Sequence, residues 1–365
     1  MSRGRRERTL RNVGNSLRVS VIGAGPAGLA AALELAGGGA HVTVYEQHRT
    51  PGGHFHGDFQ AFENWTMDAD VLAWLEGLGV TIDFPYLPTH RITMADPDLA
   101  RYAIASGRPL FYLVKRGPDE DSLDRRLAAQ AAARGVTFRF GRRMHAEELT
   151  GPVIVATGPP PRETQGVVAG IVAKTSHADQ VVVIASDALA PKGYAYCVVW
   201  SGRATLATVA MRDFPRARSC FKEARQAFAA MGLSDFREER RFGGRAHVSR
   251  TGRLTDGSRL YVGEAAGLQD YLFGFGLRYA ILSGHLAARA LLTGERYDAL
   301  VARHLRSALR AGFVNRLVFD RLGDRGYRWF LRWLSRGDGG RRARRIYGFA
   351  PWRRALWPFA ALALR

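Results

Sequence analysis

Cysteine is nearly missing from this chain: only Cys197 and Cys220 occur among 365 residues, and no CxxC pair exists. That excludes a disulfide framework and a thiolate-rich metal site as organising principles. A long hydrophobic run is missing as well. The apolar stretch after the basic N-terminus belongs to a glycine motif, and the loose twin-arginine pattern in GRRERTL has no free apolar region behind it. A cytoplasmic location is therefore expected. No internal repeat and no long linker interrupt the chain, so its domains are expected to interleave rather than follow in series.

Acid is scarce relative to base: 33 Asp and Glu face 53 Lys and Arg, for a net charge of +20. The excess is uneven. Residues 1–11 hold five Arg and one Glu, and residues 332–354 hold eight Arg and one Asp. More than half of the excess thus lies in two short terminal segments. Basic ends point to an anionic surface rather than to nucleic acid, which a uniformly basic face would suit better. The closing ALWPFAALAL is too short to span a bilayer, but with its Trp and neighbouring Arg it suits an interfacial anchor on anionic lipid, at the inner face of the membrane. Packing of this tail on its own domain or on a second subunit is the other reading, and the oligomeric state stays open.

Hydrophobic residues make up 47% of the chain, enough for a large core, and the length fits about two domains. Residues 17–46 read strand, tight turn, helix, strand: a strand ending at Ile22, a helix from Pro26 to Leu35, and a strand from His41 to Tyr45. The turn is GAGPAG, with Gly23, Gly25, Ala27 and Gly28. Gly23 permits the turn, Gly25 lets a pyrophosphate approach the backbone, and Gly28 lets helix and strand pack closely. The phosphates would sit on the helix N-terminus. Glu46 ends the second strand, where it can accept a ribose hydroxyl and disfavours a 2′-phosphate. The ligand is thus NAD-like or FAD.

The residues that follow favour FAD. Gly52 and Gly53 form a doublet just after Glu46, as in the extended fingerprint of FAD-binding flavoproteins. VIVATG, ending at Gly158, resembles their second short strand. GEAAGLQDYLFGFG resembles their late motif, with Glu264 in place of the usual Asp and with Gly274 and Gly276 opening a helix. Taken in order with YLVKRGPDEDSLDRRLA, which contributes Arg116, these segments resemble the geranylgeranyl reductase family, within the FAD-dependent group that includes p-hydroxybenzoate hydroxylase. The resemblance spans about residues 17 to 295.

The resemblance implies an α/β fold. A Rossmann-like FAD-binding domain (17–60, 108–165 and 250–295) is interleaved with an α+β substrate or cap domain carrying an antiparallel sheet (61–107 and 166–249). A basic arm expected to be disordered (1–16) precedes them, and a helical basic region with an amphipathic tail (296–365) follows. The resemblance also implies hydride transfer from flavin N5 to a carbon–carbon double bond of a lipophilic, isoprenoid-like substrate, or the reverse dehydrogenation. No second dinucleotide fold is evident, so NAD(P)H or a ferredoxin-like protein would act as a transient donor. An FAD-dependent monooxygenase of an aromatic or polyketide-like substrate is the alternative, and a non-catalytic flavin-binding or nucleic-acid-associated protein is a third.

His54, His56 and Asp58 alternate along the chain and could face one side as metal ligands, but no fourth ligand is apparent and no metal is expected. Where many relatives carry Cys-Gly-Asp or Cys-Gly-Glu, this chain has His56-Gly57-Asp58. His56 is therefore the first candidate for proton transfer. Tyr271 and Phe273, on the loop before Gly274, are placed to shape the active-site face. Trp65 and the alternating Tyr194, Tyr196 and Trp200 are candidates to line the substrate cavity.

Overall fold

The computed structural model describes residues 17–160, 163–250 and 252–363. The expected basic arm at residues 1–16 lies outside them. In β1 (Arg18–Ile22), Val19 and Val21 turn inward on alternate positions, and β2 (His41–Glu46) pairs with it in parallel, Arg18 opposite His41. Between them runs α1 (Pro26–Gly37), entered through Pro26 in its first turn, where the missing N–H leaves no bond unmade. β9 (Val153–Val155) adds in parallel on the other side of β1, followed by β16 (Arg259–Tyr261) and β15 (Thr255–Asp256), while β8 (Thr137–Phe140) flanks β2. This six-stranded sheet is the Rossmann-like layer.

α5 (Leu277–Thr293) lies against α1, and a Cβ added at Gly284 would stand 2.0 Å from the Ala27 carbonyl oxygen, so the two backbones cross nearly in contact. Glu63 and Arg278, in the first turn of α5, form a buried ion pair at 2.7 Å.

A three-stranded antiparallel sheet joins β3 (Phe59–Glu63), β7 (Phe111–Lys115) and β4 (Tyr86–Thr89). The larger second sheet has seven strands in the order β14-β10-β13-β12-β11-β5-β6. These are β14 (Arg237–Ala246), β10 (Gly166–Lys174), β13 (Arg203–Ala210), β12 (Tyr194–Trp200), β11 (Gln180–Ile184), β5 (Arg91–Ala95) and β6 (Arg101–Ala105). The segment 61–107, expected wholly in the cap, therefore divides. α2 (Val71–Gly77) packs into the core beneath the Rossmann layer through Val71 and Leu75, and only β5 and β6 join the cap sheet. α3 (Leu123–Ala133) backs the Rossmann layer and α4 (Ala217–Ala230) backs the cap sheet.

Four helices follow: α6 (Tyr297–His304), α7 (Arg306–Leu334), α8 (Gly339–Tyr347) and α9 (Pro351–Ala363). α7 breaks at Gly323, where φ is 56° and ψ is −172°. Beyond the break it is tied to the cap. Tyr327 donates to Asp187 at 2.8 Å, and Asp324 accepts from the Asp187 N–H at 3.0 Å. Asp338, the N-cap of α8, accepts from the Gly107 N–H at the end of the β5–β6 hairpin. Among the described residues no helix is long and apolar enough to cross a membrane.

Candidate functional site

One cavity of about 2190 Å³ runs from the β1–α1 turn to the face of the seven-stranded sheet. At the turn, Gly23 has φ 105°, and a Cβ there would stand 2.3 Å from the Ala156 carbonyl oxygen. A Cβ at Gly28 would stand 2.0 Å from the Gly23 carbonyl oxygen, so this position admits only glycine if helix and strand are to stay this close. Gly25 differs: a Cβ there meets nothing within 4 Å, because the position opens into the cavity. The N-terminus of α1, with its unsatisfied N–H groups, thus faces empty space. Ala27 and Glu46 also line this end. The Glu46 carboxylate accepts from the Ala24 N–H at 2.9 Å and from the His48 N–H at 2.8 Å, which fixes it at the cavity wall.

Gly52, Gly53, Gly158, Gly274 and Gly276 all reach the cavity. The doublet has an internal reason for being glycine. A Cβ at Gly52 (φ 70°) would stand 2.4 Å from the Gly117 carbonyl oxygen, and one at Gly53 would stand 2.6 Å from the His48 Cβ. Loop meets loop here, beyond any approach to a ligand. Arg116 lines the cavity but is already engaged: Nε and one terminal nitrogen bind both carboxylate oxygens of Asp124 at 2.8 Å, and the other donates to Gln60 Oε1 at 2.5 Å. Such a forked pair holds the guanidinium plane rigidly.

Glu264 lies where the late motif crosses the cavity. Burial pushes its carboxyl up to about 7, against the pull of Arg116 and of hydrogen bonds from the His247 backbone and the Gln269 side chain. Gln269 donates to the Gly274 carbonyl at 2.9 Å, while its own Oε1 is buried without a partner. Asp270, only 2% exposed, accepts from the Leu272 and Phe273 N–H groups and from Tyr347 Oη at 3.0 Å, so the loop before α5 is tightly built.

Beyond this loop the cavity becomes apolar. Met94, Leu113, Val183 and Val198 line it from the sheets, and Phe319, Leu331 and Ile346 line it from α7 and α8. Of the aromatics expected to line it, Trp65, Tyr194, Tyr196 and Phe273 do. Tyr194 Oη donates to the Phe273 carbonyl at 2.5 Å, and burial raises the phenols of both tyrosines. Trp65 stacks edge-on against Phe275 with its centroid at 5.0 Å, and its Nε1 is buried without a partner. At the opposite end, α4 and β14 give the cavity a basic mouth through Arg218, Lys222, Arg225 and Arg241.

Three expected residues are not brought to the cavity. His56 sits just behind its wall, because the loop turns at Gly57 (φ 84°), and only the His56 N–H is engaged, donating to Asp58 Oδ1 at 3.0 Å. Tyr271 is directed the other way, onto Phe313 of α7 at 4.9 Å, because the turn capped by Asp270 aims Phe273 into the chamber instead. Trp200 packs on Phe59 at 5.3 Å, outside the cavity. The residue that does face the cavity next to His56 is Asp58, 5% exposed, its carboxyl raised by burial against the pull of the His56 N–H and Arg116. Its place two residues from His56 carried the signal, but as a metal ligand only. Among the described residues no three His, Cys, Asp or Glu side chains form a group able to hold a metal.

The residues present fit FAD. Gly25 opens the α1 N-terminus to the cavity, and Gln269 and Trp65 each leave a buried polar atom unpaired along its length.

Comparison with known proteins agrees on the fold. Residues 21–69 match the family of NAD(P)-binding Rossmann-like domains. A thiamine thiazole synthase from Thermotoga maritima is 39% identical over 72 residues, which is 19% of this chain and 29% of the synthase. The chain thus matches less than a third of that relative. Over nearly the full chain the likeness is structural. A geranylgeranyl bacteriochlorophyll reductase-like protein from Thermoplasma acidophilum superposes with a TM-score of 0.72 at 18% identity, covering 88% of this chain and 92% of that one. A flavin-dependent brominase superposes at 0.66 with 15% identity, covering 95% and 98%. The chain shares the mixed α/β fold of these flavoproteins.

Proposed function

We propose that this chain is an FAD-dependent oxidoreductase that reduces a carbon–carbon double bond of a lipophilic, isoprenoid-like molecule, or dehydrogenates the corresponding saturated one. The observation that supports it is the continuity of the cavity: one space joins the glycine turn and Glu46 to an apolar chamber roofed by the cap sheet and closed by α7 and α8. Gly23, Gly25, Ala27, Glu46, Gly52, Gly53, Arg116, Gly158, Glu264, Gly274 and Gly276 would hold FAD, with Gly28 supporting the turn from behind. Bound there, FAD supplies hydride transfer. NAD(P)H or a ferredoxin-like protein is proposed as its donor.

The chain's own residues do the rest. The α1 N-terminus and the α5 N-terminus present positive ends to anionic groups. The apolar chamber excludes water from the alkene. Asp58, kept protonated by burial at the cavity wall, is the group best placed to deliver a proton. The printed likeness of one structural relative to a geranylgeranyl bacteriochlorophyll reductase agrees with this reading.

The test is direct. Natively purified protein is assayed for bound flavin, reduced anaerobically with NADPH or dithionite, and mixed with polyprenyl and smaller alkenes. Reoxidation of the flavin by an alkene with formation of the saturated product is the expected result. Protein that neither holds nor takes up flavin overturns the proposal. Substrate-stimulated NADPH consumption with oxygen insertion would replace it with the monooxygenase reading.

A further inference from the structure

Two features of the C-terminal helices lie outside the cavity. The first is the outward face of α9. Trp352, Ala355, Phe359 and Leu362 recur at spacings of three and four residues, so they share one side of the helix. That side faces out: Trp352 is 48% exposed, Phe359 62% and Leu362 61%. The inward side carries Ala360 and Arg353, which is only 4% exposed and donates to Asn315 Oδ1 at 3.0 Å and to the Gly348 carbonyl at 2.6 Å. The helix buries a cation and presents large apolar side chains, the reverse of a surface helix facing water.

The second feature is a pocket of about 460 Å³ between α6, α7 and α9. Arg303, Arg306, Arg310 and Arg354 line it, with Trp357 and Phe349. Arg310 lies over the Trp357 ring at 5.0 Å, and Arg303 has an acidic partner in Glu295 at 3.6 Å. Among the described residues, Arg306, Arg310 and Arg354 have none. Three uncompensated guanidinium groups around one opening call for an anion, and planar donors of this kind suit phosphate oxygens. Arg354 and Trp357 belong to α9 itself, so the pocket borders the apolar face.

We propose that the outward face of α9 and the arginine pocket beside it form one docking site for an anionic phospholipid bilayer. Trp352, Phe359 and Leu362 enter the boundary between headgroups and acyl chains, and a lipid phosphate sits among Arg306, Arg310 and Arg354. Charge selects this occupant. A second copy of a chain of net charge +20 would bring the same arginines against these, whereas an anionic bilayer compensates them and accepts the apolar face in one step. A nucleic acid would compensate the charge but leave the apolar face uncovered. The helix lies in the interface rather than across it, since α9 has 13 residues. The site is independent of the flavin reading, because it uses none of the cavity's residues.

The test uses the full chain with its flavin and vesicles of phosphatidylglycerol mixed with phosphatidylcholine, against phosphatidylcholine alone. The wild type should sediment with the anionic vesicles at least tenfold more tightly than with the neutral ones, and less tightly at high salt. W352S/F359S/L362S should lose binding to both by tenfold or more. R306Q/R310Q should lose the preference for the anionic vesicles while keeping the residual neutral binding. All changed side chains face solvent or the open pocket, so circular dichroism and flavin content should not move. Brominated acyl chains should quench wild-type tryptophan fluorescence, and quench it less in W352S/F359S/L362S. Wild-type protein that ignores anionic vesicles overturns the proposal, and so do variants that bind like the wild type. Self-association that W352S/F359S/L362S abolishes, without vesicle binding by the wild type, overturns it in favour of a contact between copies.

Discussion

Gly25 and Gly28 stand one turn apart and face opposite surroundings. Behind Gly28 the Gly23 carbonyl leaves no room, so Gly28→Ala overpacks the contact between helix and strand and should cost about 1–3 kcal/mol of stability, seen as a lowered melting temperature. In front of Gly25 there is only the cavity. Gly25→Ala should therefore change the apoprotein's stability by less than about 1 kcal/mol, the scale of an N-cap substitution. It should nevertheless weaken FAD at least tenfold in a fluorescence titration. A Gly25→Ala protein that binds FAD like the wild type would show that the turn does not hold the cofactor. Glu264 gives a second test at this scale. Its carboxyl is raised from an ordinary 4.5 to about 7 by burial, so the native state binds the proton more tightly than the unfolded chain. That contribution to stability is fully present below about 4.5 and is lost as the pH rises through about 7. The side chain keeps partial contact with the cavity, so the effect should be on the order of 1–2 kcal/mol. Denaturant titrations of the apoprotein from pH 4.5 to 8 should show this slope, and Glu264→Gln should flatten it.

Among the elements, those with a strong period were legible in the sequence. The βαβ unit formed where GAGPAG placed it, with α1 running two residues past the expected Leu35. The hairpin β12–β13 turns at Ser201 and Gly202, both with positive φ, in the two-residue loop its spacing suggested. β14 left no such trace. REERRFGGRA has no apolar alternation, because it is an edge strand whose charged side chains face water on the flank of the sheet. Its partner β10 supplies the pairing that its own sequence does not advertise. Likewise the Arg-rich composition of the C-terminal helices hid their inward stripe of Phe319, Leu331, Leu334 and Ile346, which completes the cavity. The break at Gly323 is what lets α7 supply that stripe on both of its sides. Its backbone angles are open only to glycine, so Gly323→Ala should cost about 1–3 kcal/mol. Because Phe319 precedes the break and Leu331 follows it, the variant should also raise KM for the lipophilic substrate while keeping its flavin. Loss of flavin with unchanged KM would place the chamber elsewhere.

Across the whole molecule, the C-terminal helices and the cofactor end of the cavity are joined by a short chain of buried bonds. Asp270 sits in the loop that opens α5 and is satisfied by the Leu272 and Phe273 N–H groups within that loop. Its remaining capacity is used by Tyr347 Oη, from the last turn of α8. The residue before it, Ile346, lines the chamber and offers its carbonyl to Asn315 of α7 at 2.8 Å. Order in the loop and order in α8 therefore support each other. A ligand that fixes the loop must stabilise the helix, and the helix must in turn strengthen the ligand by the same free energy. FAD binding should slow amide hydrogen exchange across residues 339–347, although these lie beyond the 17–295 span of the flavoprotein resemblance. Tyr347→Phe removes one buried bond to a carboxyl that has no nearby replacement, a loss of about 1–3 kcal/mol. Part of that loss should appear as FAD affinity weakened about fivefold, with the exchange protection of 339–347 no longer responding to FAD. If Tyr347→Phe lowers stability but leaves both the FAD affinity and the ligand-dependent protection intact, the helices only close the chamber and carry no coupling to the cofactor.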